Sequence, residues 1–167
     1  PTSAKKMSTK GYSEKAKHKP KELPCLIFNN RKEIQKFIGF VHITGKKSWR
    51  MLEKARYLSD LRRSDNFKEL SLSNACKEIA RIIGSRSSYV RKMIISYYLY
   101  EIIEDENFYQ IDGLSDSTFF LNYFADGLQK ENIRRYINID FDSESPFQNL
   151  NLEHLKELVF WWFKKNE

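Results

Sequence analysis

Arg86, Ser87, Ser88, Arg91 and Lys92 crowd into one short stretch, and every one of them donates hydrogen bonds or carries positive charge. Side chains of these types recognise rather than make bonds: hydroxyls and guanidinium forks meet base edges, and ammonium groups meet phosphates. Their positions have a pattern. Counting Cys76 as the first of twenty positions in CKEIARIIGSRSSYVRKMII (76–95), Ala80 is the fifth and Gly84 the ninth. That is the spacing of a helix-turn-helix. A small residue lets two helices cross closely, and a glycine supplies the positive φ with which the chain leaves the first. Val90, with Ile79, Ile83 and Met93, would lock helix to helix. A second helix from Ser87 to about Tyr98 would then present Ser87, Ser88, Arg91 and Lys92 to the major groove. Arg86 with Lys77 or Arg81 would touch phosphate. A packing corner uses the same spacing, so the charge around it has to discriminate.

Residues 1–101 carry 23 Lys and Arg against 9 Asp and Glu, whereas residues 102–167 carry 6 against 13. The formal net charge of +7 therefore hides a strongly basic front and an acidic tail. The candidate recognition helix lies in the basic part, where a positive field attracts polyanions and counterion release favours contact with DNA. Part of the excess sits in the Lys-rich 1–22, read as a flexible basic segment. The middle of the chain stays positive without it.

The elements that must hold these residues follow from periodicity. A short apolar run at 23–28 (LPCLIF), opened by a proline, reads as a buried or edge strand that would keep Cys25 a thiol. Asn30 and Glu33 have capping-box spacing for a helix through Ile34, Phe37 and Ile38. FVHIT (40–44) lies between two glycines as an extended or turning piece. Ser48 can cap a helix over 49–63 with the stripe Leu52, Ala55, Leu58 and Leu61. After the helix-turn-helix, an aromatic helix runs on through 97–108 into an acidic end. Ser115 or Ser117 starts a helix closed by Gly127, another covers 128–139, and DFDSESPFQN (140–149) is a polar connector. Asn151 caps a last helix with Leu152, Leu155, Leu158, Val159 and Trp162 on its apolar face. The fold class is mainly α: a small α/β remnant (23–46), a helical domain with the helix-turn-helix (47–110) and an acidic, aromatic C-terminal helical bundle (111–167).

With 41% hydrophobic residues, 12 Phe, 9 Tyr and 3 Trp the chain can bury a core. Cys25, Cys76 and three scattered histidines have no metal-ligand spacing, which fits a reduced intracellular setting. No apolar run has the length of a membrane span. The chain opens at Pro1, so a processed protein or a piece of a longer one is expected.

The order of pieces in LPCLIFNNRKEIQKFIGFVHITGKKSW, LEKARYLSDL and EIARIIGSRSSYVRKMI resembles the ParB-like family over residues 23–95. In that family a ParB/sulfiredoxin-type N-terminal domain precedes a helix-turn-helix. The closing LNLEHLKELVFWWF is similar to the last helix of bacterial relatives. The resemblance implies a cytoplasmic, nucleoid-associated, bacterial DNA-binding protein. It also implies CTP and magnesium, but only for a longer parent. The Gly-x-Arg-Arg phosphate motif of the family is missing here, and Phe40-Val-His-Ile-Thr44 stands where the family has Glu-Asn-x-x-Arg. No cofactor or metal is expected in this chain, and His42 is read as pairing within its turn.

No catalytic residue is assigned. The acidic groups Glu104-Asp105-Glu106 and Asp140, Asp142 and Glu144 lie at a helix end and in a connector, without a partner histidine; nuclease or nucleotide hydrolysis is left to a longer parent. The expected partner is double-stranded DNA. A homodimer contact, or a contact with other domains of the parent, would use the C-terminal aromatics Phe119, Phe120, Tyr123, Phe124 and 160–163. The rival reading is an assembly module in which these aromatics make the contacts and the helix-turn-helix is only scaffold.

Overall fold

The computed structural model describes residues 25, 27–30, 34, 37–44 and 49–164. Among them the chain is mainly helical and holds no strand. The edge strand expected at 23–28 lies partly outside the described residues. Its described positions Cys25, Ile27 and Phe28 are not in a strand; Cys25 is exposed and Ile27 is 92% exposed. Among the described residues the run has no ladder partner, and hydrophobicity alone does not make a strand. The buried thiol is that of Cys76, which burial pushes up to about 11. Ile34 and residues 37–39 are helical and run into a π-helical turn, Phe40–Thr44, in place of an extended piece. The His42 ring stacks on Trp49 with centroids 4.4 Å apart.

Three helices form the centre: α1 (Met51–Arg63), α2 (Leu72–Ile83) and α3 (Ser87–Asp105). Helix α1 buries the expected stripe Leu52, Ala55, Leu58 and Leu61, but Arg50 rather than a serine precedes its first turn. Ser48, the expected cap, lies outside the described residues. Beyond α1, Arg62 donates to the carbonyls of Phe67 (2.8 Å) and Leu70 (2.9 Å), which shapes the bend into α2. Helix α2 is capped by Ser71, whose Oγ accepts from the Asn74 N–H at 3.3 Å. Leu72, Ala75, Cys76, Ile79, Ala80 and Ile83 form its buried face. It ends at Gly84 (φ 68°), and the Ser85 N–H folds back to the Ala80 carbonyl at 2.9 Å.

Helix α3 is different in kind. From Val90 onward it is buried around most of its circumference, by Val90, Met93, Ile94, Ile95, Tyr97, Leu99, Tyr100 and Ile103. A helix apolar all round must be enclosed; α1 and α2 pack on it from one side and the C-terminal segments from others. Four successive residues after it, Asn107 to Gln110, adopt positive φ between 49° and 56°. A left-handed turn of non-glycine residues costs about 1–2 kcal/mol per residue. Phe108 offsets part of that by packing against Tyr100 and Phe119 at 6.1 and 6.2 Å.

The C-terminal half is less regular than its sequence pattern implies. The helix expected from Ser115 shrinks to α4 (Asn122–Gly127), because residues 115–119 spend their polar groups on local turns: Thr118 Oγ1 donates to the Gly113 carbonyl at 2.7 Å, and the Ser115 N–H donates back to Thr118 Oγ1 at 2.8 Å. The helix expected over 128–139 shrinks to α5 (Glu131–Tyr136), ended by Asn138 at φ 57°. Asn151 does cap α6 (Leu152–Phe163), accepting from the His154 N–H at 3.0 Å. Leu152, expected on its apolar face, is 56% exposed. Most of the aromatic excess is used inside the chain. Phe119 stacks on Phe163 (4.9 Å), Phe124 meets Trp162 edge-on (4.9 Å), and Tyr136 stacks between His154 and Trp161. Among the described residues no helix is long and apolar enough to cross a membrane.

Two backbone substitutions should move stability in opposite directions. Gly84→Ala should lower the unfolding free energy by about 1 kcal/mol, since a Cβ at positive φ is strained. Gln110→Gly should raise it by about 0.5–1 kcal/mol by relieving the left-handed turn; urea unfolding followed by circular dichroism reads both.

Candidate nucleic-acid interface

The step from α2 through Gly84 to α3 puts the expected residues in three different settings. Ala80 (4% exposed) and Val90 (0%) lie in the contact between the helices, with Ile79, Ile83 and Met93 beside them. Lys77, Arg86, Ser87 and Ser88 are exposed and Lys92 is half-buried. Arg81 is exposed and pairs with Glu78 at 2.7 Å on its own helix. Surface pairs of this kind are weak and open readily to a competing anion.

Arg91 corrects the expectation that it faces a ligand. It is 8% exposed. Its Nε donates to the Phe141 carbonyl at 2.7 Å, one Nη to Ser73 Oγ at 3.1 Å, and the other Nη to the Ser143 carbonyl. The two carbonyls belong to the connector 137–151, a loop closed at its neck. There the Asn151 N–H donates to the Ile137 carbonyl (3.0 Å), and the Asn138 side-chain amide donates to the Asn149 carbonyl (2.8 Å). Phe141 of this loop lies between the guanidinium groups of Arg91 (6.0 Å) and Arg134 (5.8 Å). Glu144 of the same loop accepts from the Ser73 N–H at 3.1 Å in the first turn of α2. The hydrogen bonds to Ser73 hold the Glu144 carboxyl below the usual range. Arg91 is thus a structural clamp between α2, α3 and the connector.

Two clefts lie beside the start of α3 and share Tyr89 as a lining residue. The larger, about 660 Å³, gathers Arg86, Ser88 and Lys92 with Gln129 and Phe141. The smaller, about 420 Å³, is lined by Trp49, Arg50, Lys54, Phe120 and Asn122, none of which the helix-turn-helix spacing singles out. The signal in the sequence was the interleaving of aromatic and basic residues in Trp49-Arg50 and Lys54, which periodicity alone assigns to a helix surface. Among the described residues, neither cleft has an Asp or Glu in its wall. That absence is informative in a chain with 22 acidic residues. Glu53, on the first turn of α1, is drawn to Arg50 in an ion pair.

The wall of the smaller cleft is pinned in place. Arg56 Nη2 donates to Asp116 Oδ1 at 2.7 Å, and the Tyr100 hydroxyl donates to the same oxygen at 2.7 Å. Arg50 donates to the Ser117 carbonyl at 3.3 Å. Tyr100 and Arg56 together hold the Asp116 carboxyl below its usual value, and burial pushes the Tyr100 hydroxyl far up. Among the described residues no group of three or more His, Cys, Asp or Glu is placed to hold a metal ion. Compared with models of protein families, with curated proteins and with solved structures, the chain matches none of them.

Arg91→Ala should cost about 2–3 kcal/mol, since it removes a charged donor that bridges Ser73 to the carbonyls of Phe141 and Ser143. Arg86→Ala, at an exposed position, should stay within about 0.5 kcal/mol. Urea midpoints separate the two. Asp116 contributes stability that is fully present above pH 3.8, its ordinary value, and is lost as the pH falls below it through the lowered folded value. Below pH 3.8 the urea midpoint of the wild type should therefore fall more steeply than that of Asp116→Asn.

Proposed function

We propose that this chain binds nucleic acid without catalysis, with duplex DNA read by the step α2–Gly84–α3 acting as a helix-turn-helix. The observation that carries the reading is the pair of clefts that share Tyr89 at the start of α3, walled by Lys54, Arg86, Lys92 and the Glu53-paired Arg50, with no carboxylate from the described residues among the lining. Lys77 and Arg81 extend the cations along the exposed side of α2. Ser87 and Ser88 offer hydroxyls at the first turn of α3, the part of a recognition helix that meets base edges. The contact set is the expected one without Arg91, enlarged by Arg50 and Lys54. On α3 it is confined to the first two turns, because the middle of that helix is enclosed and its last turn is acidic.

A ParB-like affiliation belongs to the same proposal and rests on the order of the helical pieces. The front of the chain lends it nothing, since its described residues hold no strand. The rival reading, an assembly module, draws on Phe120 (60% exposed), Tyr123 (48%), Leu152 (56%) and Trp161 (64%), which leave apolar surface on the acidic half.

Fluorescence anisotropy on a mixed-sequence duplex tests the proposal. About six phosphate contacts imply a loss of roughly a thousandfold in affinity between 50 and 200 mM salt. Arg86→Ala/Lys92→Ala should weaken binding to every sequence and flatten the salt slope by about two, one for each lost contact. Absence of binding at low salt would leave the assembly reading in front.

A further inference from the structure

Phe119 and Phe120 are neighbours with opposite fates. Phe119 is 5% exposed and anchored among Tyr100, Phe124 and Phe163. Phe120 is 60% exposed and forms one wall of the smaller cleft. Its loop does not let it fold away, because Asp116 is held by Arg56 and Tyr100 and the Ser117 carbonyl by Arg50. A large apolar ring is therefore presented to solvent by a rigid support, with Lys54 and Arg50 in the same cleft.

We infer that the cleft between Phe120 and Tyr89 takes an unpaired nucleotide, so that the preferred ligand is a duplex with a single-stranded extension rather than a blunt duplex. This rests on the nucleic-acid reading above and deepens it. The occupant needs a flat apolar face for the ring of Phe120 and negative charge for Lys54 and for Arg50, whose exposed pair with Glu53 opens to a competing anion. A nucleotide has both, and every base has a π-face on which an aromatic side chain can stack. The volume of about 420 Å³ lies within the range of small-ligand pockets. Asn122 is exposed at the cleft wall and carries both donor and acceptor for a base edge. An acidic or purely apolar peptide satisfies only half of this wall. Tyr89 lines both clefts, so the smaller one lies next to the site of Arg86 and Lys92.

The test uses the full chain, a blunt duplex, and the same duplex with a short thymidine overhang carrying 2-aminopurine. The overhang should raise the affinity of the wild type about tenfold and quench the 2-aminopurine by stacking. Phe120→Ala, with its fold verified by circular dichroism, should erase both the overhang gain and the quenching; Phe120→Trp should restore them. Equal affinity of the wild type for blunt and tailed duplexes would overturn the inference and leave the duplex reading standing. Failure to bind either would overturn both. Self-association in sedimentation that Phe120→Ala abolishes, without any overhang effect, would assign the ring to a second copy of the chain and overturn the inference.

Discussion

Enclosure of α3 is the constraint on which the rest of the molecule depends. Tyr100, Ile94, Ile95, Leu99 and Ile103 have no exposed surface, and they point in several directions from one helix. Such a helix is stable only when apolar surface covers it all round. The stripes of α1 and α2 cover part of that circumference. Short helices and turns of the acidic half cover more, through Phe119, Phe124, Ile111 and Leu128. The irregularity of that half has the same origin. Segments wrapped around a helix must bend, and Asn107 to Gln110 and Asn138 bend through positive φ.

The same enclosure decides where a ligand can approach. Helix α3 is open at its two ends, and the last turn carries the acidic Glu104 and Asp105, so the proposed interface gathers at the first turn with Gly84, Ser85 and Arg86. Helix α2 adds cations from one side and the start of α1 from the other, which makes the surface a composite of three elements rather than one recognition helix. The connector 137–151 completes the arrangement by engaging Arg91 and the first turn of α2. Its negative side chains keep away from the clefts: Glu144 is on Ser73 and Asp142 is 4.0 Å from Arg134. The basic and acidic halves of the sequence are thereby interleaved in space, with no carboxylate of the described residues in either cleft wall.

Arg91 and Lys92 illustrate the limit of reading a helix face from spacing. They are adjacent, both cationic at neutral pH and both able to meet a phosphate, and one is a clamp while the other lines a cleft. The partners that separate them lie 50 and 52 residues downstream for Arg91, in a stretch whose own pattern says only that it is polar. Phe119 and Phe120 make the same point for apolar residues, since two adjacent phenylalanines carry the same signal and only one of them is buried.

The features legible in the residues alone are local ones. The stripe of α1, the glycine that ends α2, the small Ala80 where α2 meets α3, and the Asn151 cap depend on contacts within one or two turns, where residue type dictates conformation. Where the pattern misled, the competing interaction was distant or absent. The run at 23–28 has no strand partner among the described residues, and the helices expected over 115–127 and 128–139 gave way to turns stabilised by side-chain hydrogen bonds and long-range packing. The burial of Arg91, the outward Phe120 and the acid-free clefts were settled by tertiary packing instead. Each depends on residues brought together from distant parts of the chain, from Trp49 to Asn122 in one cleft and Gly84 to Phe141 in the other, and no local periodicity encodes that meeting.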